Sequence, residues 1–79
     1  MMIIINYINE NVVVSSNQLI SGLIKILDEQ DKQLLNINFN KQNNIQIPFD
    51  FKVNKIKVII ETKNNKIIKT FTKQKSKIL

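Results

Sequence analysis

The apolar positions change period along the chain. Met2–Ile8 is a nearly unbroken apolar, β-branched run. It predicts a first strand, central in its sheet and covered on both faces. "NEN" at 9–11 is turn chemistry, and Val12–Val14 predicts a short second strand. A hairpin that sets Tyr7 opposite Val12 also sets Ile5 opposite Val14 on the same face. Ile20, Leu23, Ile24 and Leu27 then recur at i, i+3, i+4 and i+7, with Leu19 and Ile26 widening the stripe. That spacing predicts one helix over 15–32, opened by Ser15 and Gln18 at capping-box spacing. Gly22 costs such a helix about 1 kcal/mol against alanine; it is either a point of close approach to the sheet or incidental. Asp28, Glu29 and Asp31 would lie at the C-terminal end, against the dipole. Either the helix ends early or these acids have a partner.

Strict alternation follows. Leu35, Ile37 and Phe39 share one face, with Asn36, Asn38 and Asn40 on the other; Ile45, Ile47, Phe49, Phe51 and Val53 repeat the pattern. Two strands of a hairpin are predicted, with an odd number of loop residues so that both apolar sets meet one core. Pro48 donates nothing to a ladder, so its N side faces out or its strand is an edge. "KIKVIIET" and "KIIKTFTK" make a last pair around "KNNK". A two-residue primed turn at Asn64–Asn65 would pair Ile60 with Lys69 and Val58 with Phe71. A three-residue loop would instead give an apolar face of Ile56, Val58, Ile60 and Ile68. Its opposite face would carry Lys55, Lys57, Lys69, Phe71 and Lys73. The predicted class is α+β: one small domain over 1–79, a mostly antiparallel sheet with one helix packed across it, in the order β-β-α-β-β-β-β. Residues 74–79 are expected to form a loose basic tail.

The same order of elements is that of the β-grasp fold. A strand ending in asparagine, the stretch "LISGLIKIL" and "IP" after a strand resemble small sulfur-carrier proteins of that fold. What the resemblance implies is a fold. Those carriers act through a C-terminal diglycine, whereas this chain ends "KSKIL" with no glycine after Gly22.

Composition narrows the chemistry. Seventy-nine residues bury only about 60% of the surface their unfolded chain exposes, so the core is marginal. Cysteine and histidine are absent, which leaves no disulfide and no ordinary zinc site. Ile (16), Asn (12) and Lys (12) dominate. Their codons are rich in A and T, which points to an AT-rich genome such as that of an organelle, a virus or a reduced bacterium. Such a bias raises lysine by itself, and the net charge of +6 with it. It does not explain the distribution of charge. Residues 1–40 hold two lysines and four acids, net −2; residues 41–79 hold ten lysines and two acids, net +8. This asymmetry suits either a surface for a polyanion or a solubilising one.

No catalytic constellation stands out. Ser15 is explained as a cap, the acids at 28–31 match no calcium loop, and no phosphate-binding glycine pattern exists. No cofactor, metal or small-molecule substrate is expected. "MMIIINYI" is too short to span a bilayer and lacks the features of a signal peptide, so an intracellular, unsecreted protein is expected. The reading that follows is non-enzymatic. It is a small accessory or structural subunit that binds a protein partner, a second copy or a larger assembly through its sheet, where strands such as "NINFN" accept another strand. The alternative is an RNA- or DNA-binding protein of little sequence preference, holding phosphates with Lys55, Lys57, Lys69, Lys73, Lys75 and Lys77 and stacking Phe71 or Tyr7 on a base. Arginine is absent, so no guanidinium fork is available to read guanine.

Overall fold

A computed structural model describes residues 2–50 and 52–73. They form five strands: β1 Ile3–Ile8, β2 Asn11–Leu27, β3 Gln33–Pro48, β4 Lys55–Thr62 and β5 Lys66–Thr72. All pairings are antiparallel, and the sheet curls into a half-barrel. No helix occurs among the described residues, so the α+β class, the helix across the sheet and the β-grasp order are all corrected to an all-β fold. The basic tail expected at residues 74–79 lies outside the described residues.

The segment read as a helix is the second half of β2. Its isoleucines explain why. Ile20, Ile24 and Ile26 are buried, at 6%, 0% and 0% exposure, and they stand at even spacing on one face of a strand. Leu23 and Leu27 turn to the other face. An i, i+3, i+4, i+7 pattern and a period-two pattern share members over so short a window, and β-branched side chains fit the pleated surface better than a helix. Partners on both sides then pair with β2 over 11–15 and 22–27. Val14 lies between Ile5 of β1 and Ile45 of β3, while Ile24 lies between Ile37 of β3 and Ile60 of β4. Ser15, the expected cap, is instead a sheet residue between Ile4 of β1 and Asn44 of β3; beside it, Ser16 Oγ accepts from the Gln18 N–H (3.3 Å) and Asn17 Oδ1 from the Met2 N–H (3.0 Å).

Gly22 marks the middle of β2, opposite Phe39 of β3 and Thr62 of β4. A Cβ there would run into the Glu61 carbonyl oxygen and stand 3.2 Å from the Thr62 Cα. Close backbone approach is therefore its role, though against a strand and not beneath a helix.

The first hairpin has the predicted register, Tyr7 opposite Val12 and Ile5 opposite Val14. Asn9 and Glu10, at φ 50° and 61°, supply the two left-handed residues that a type I′ turn requires. β1 is nevertheless an edge strand, not a central one, because among the described residues it pairs with β2 alone. Ile5 is buried while Ile4 and Ile8 are 46% and 50% exposed.

The first alternating segment and the start of the second are one strand, which ends at Pro48, so Phe49 and Val53 lie beyond it and not in a strand. Leu35 to Phe39 and Ile45 to Ile47 belong to β3 and pair with β2, not with each other. The residues between them, read as a loop, hold an irregularity at Lys41, φ 49°. The faces follow the prediction: Phe39 and Ile47 are buried and Asn36, Asn38 and Asn40 are exposed. Pro48 closes β3 on a strand that pairs only with β2 among the described residues, as its missing N–H requires.

The last hairpin takes neither register weighed from sequence. Glu61 pairs with Lys66 across a four-residue connection, which sets Ile60 opposite Ile67, Val58 opposite Lys69 and Ile56 opposite Phe71. Neither Asn64 nor Asn65 has positive φ, so no primed turn forms. Thr62 Oγ1 instead accepts from the Asn65 N–H at 3.1 Å.

Candidate functional site

Every strand inside a sheet has two neighbours, and an edge has one. β1, β3 and β5 are the edges here. Natural sheets blunt such edges by brevity, by lysine, by inward-pointing charge or by irregularity. β1 is six residues long, and its Ile5 carbonyl accepts from Lys69 Nζ at 2.9 Å. β5 carries Lys66 and Lys69, and Lys69 turns to the concave face beside Phe71, its ammonium 5.4 Å from the ring centre. Tyr7 and Phe71 lie 6.2 Å apart, and the Tyr7 hydroxyl donates to the Phe49 carbonyl at 2.6 Å. These side chains bridge β1 and β5.

β3 is different. It runs for 16 residues and pairs with β2 alone among the described residues. From Leu34 to Asn40 it contains no charge, no glycine and no proline. Irregularities bound the stretch at both ends, a register shift that skips Leu34 and another at Lys41, and Pro48 ends the strand; between them Leu35 to Phe39 pairs regularly with β2. Leu35 and Ile37 remain partly exposed on the core side, and Asn36 and Asn38 are exposed on the other. What β3 presents is a row of backbone donors and acceptors flanked by neutral side chains. It can extend the sheet by one strand.

The lysines proposed for phosphate binding do not converge. Lys55 and Lys57 alternate with the buried Ile56 and Val58, so they stand on the convex face. Lys69 and Phe71 are paired with Val58 and Ile56, which puts them on the concave face. Phe71 packs against the core. Lys57 is ion-paired with Asp31 at 3.0 Å, so an acid of the predicted helix end does have a partner, within a turn. In that turn Asp28 Oδ1 accepts from the Gln30 and Lys32 N–H groups at 2.9 and 2.8 Å. Lys25 pairs with Glu61 at 3.1 Å. The Lys73 N–H donates to the Asn54 carbonyl at 2.8 Å just past β5, and Lys75 and Lys77 lie outside the described residues.

No protein-family model, curated protein or solved structure matches the chain. The β3 edge is what its own geometry offers. "NINFN" is the strand expected from sequence to accept another, but its partner is β2 and not the hairpin strand expected after it. Parity does not separate a hairpin with an odd loop from one continuous strand. Leu35, Ile37, Phe39, Ile45 and Ile47 all fall at odd positions, as either would place them.

Proposed function

We propose that this protein is a non-enzymatic accessory or structural subunit that binds a polypeptide by strand addition at the β3 edge. One observation carries the reading: β3 is long, neutral from Leu34 to Asn40, and paired on one side only among the described residues. Main-chain hydrogen bonds would supply affinity, and the alternating Asn and apolar side chains would supply the register. The alternative, binding of RNA or DNA by the lysine-rich half, has weaker support. Its candidate residues divide between two faces, and Lys57 is already paired with Asp31.

Photo-crosslinking in the cell tests the reading. A photo-reactive amino acid in place of Asn38 should yield discrete polypeptide adducts, and the same group in place of Asn64, at the β4–β5 turn, should yield few. The adducts should disappear when Asn36 is changed to Glu beside the label. Equal labelling from both positions, or adducts to nucleic acid only, would overturn it.

A further inference from the structure

Building on the reading of β3 as a polypeptide-binding edge, we infer that its partner is a second copy of this chain, joined antiparallel β3 to β3 about a two-fold axis at Ile37. The pleat restricts the choice. A two-fold axis perpendicular to the sheet keeps each residue on its own face, so only residues of equal parity can stand opposite each other. Centring on Ile37 uses the whole uncharged stretch from Leu34 to Asn40. It sets Leu35 against the other copy's Phe39, and Ile37 against Ile37, along the concave face. Asn36 faces Asn38 on the convex face. The partly buried Leu35 and Ile37 are thereby covered, and the core of one half-barrel continues into the next.

Charge decides between this axis and one placed further along. In a chain of net charge +6, an interface between copies needs a stretch without like charges in opposition. An axis at Lys41 would set two ammonium groups face to face. With the axis at Ile37, each Lys41 lies two residues beyond the regularly paired stretch Leu35 to Phe39, and the two lysines are separated by about 27 Å along the strands. That distance exceeds the screening length of about 8 Å at physiological salt. The β5 edge offers no such stretch, because Lys66 and Lys69 stand within it.

The test is sedimentation equilibrium of the whole chain and two charge variants. Asn36→Glu with Asn38→Glu puts carboxylates opposite each other twice across the axis. Asn36→Glu with Asn38→Lys replaces them by ion pairs at the same places. Glutamate is chosen at 36 because Lys25 faces that position within the chain. The wild type should form dimers of twice the 9.2 kDa chain mass. The double-glutamate variant should dissociate about tenfold more readily, and the Glu/Lys variant should recover the wild-type constant. Circular dichroism of both variants should match the wild type. Loss of the dimer in both variants would overturn the register. A wild type that stays monomeric while Asn38 crosslinks to a foreign polypeptide would overturn the second copy and leave the edge reading standing. A dimer indifferent to both variants, with no adduct at Asn38, would overturn both.

Discussion

Single residues set the geometry of this sheet more than composition does. Gly22 is one. β2 passes between β3 and β4 there with the Glu61 carbonyl where a Cβ would stand. Gly22→Ala should therefore destabilise the protein by about 1–3 kcal/mol, the range for forcing an extra carbon into a packed site. Alanine in a helix would instead be stabilising by about 1 kcal/mol, so the sign of the change separates the strand from the helix read in the sequence. Urea denaturation of the two proteins measures it. Asn9 and Glu10 are the other pair, holding the left-handed conformations that fix the first hairpin and with it the register of Ile5 and Val14.

Among the elements, legibility followed how local the deciding interaction was. The β1–β2 hairpin could be read because Tyr7, Val12, Ile5 and Val14 meet across a two-residue turn. β4 and β5 could be read as strands, but their register depends on Thr62 capping the connection through Asn65, which no turn signature announces. The second half of β2 could not be read. Ile20, Leu23, Ile24 and Leu27 satisfy the helical period, and the partners that decide for a strand, Ile37 and Ile60, are far off in sequence. β3 was divided in two because "KQNN" has loop composition; its continuity comes from β2 running beside it. The candidate site was visible in part, as neutral alternation, but its openness depends on which strands pair with it. β5 shows the contrary solution. Lys69 is an inward-pointing charge that also donates to the Ile5 carbonyl. Lys69→Val removes the charge from that edge and should raise turbidity at high protein concentration through β5 pairing. Turbidity equal to that of the wild type would show that Lys69 does not guard the edge.

At the scale of the whole molecule, one curled sheet holds a core on its concave side, where Ile24, Ile26, Ile56 and Ile60 are fully buried. The convex side is left to side chains such as Ile4 and Ile68, 46% and 53% exposed. A chain of this size has little stability to spare, and a curl that stops at half a barrel leaves strand edges that must be blunted or used. β1 and β5 are blunted and bridged to each other; β3 is open from Leu34 to Asn40. The most direct measurement is residue-resolved amide hydrogen exchange along β3, at a concentration where the chain sediments as a monomer. In an antiparallel edge strand, successive N–H groups point alternately to the neighbour and to solvent. Between Leu35 and Phe39, slow and fast amides should therefore alternate, while Ile24 to Ile26, flanked by β3 and β4, should be slow throughout. Uniformly slow exchange from Leu35 to Phe39 in the monomer would mean that the edge is already covered, and would contradict the account.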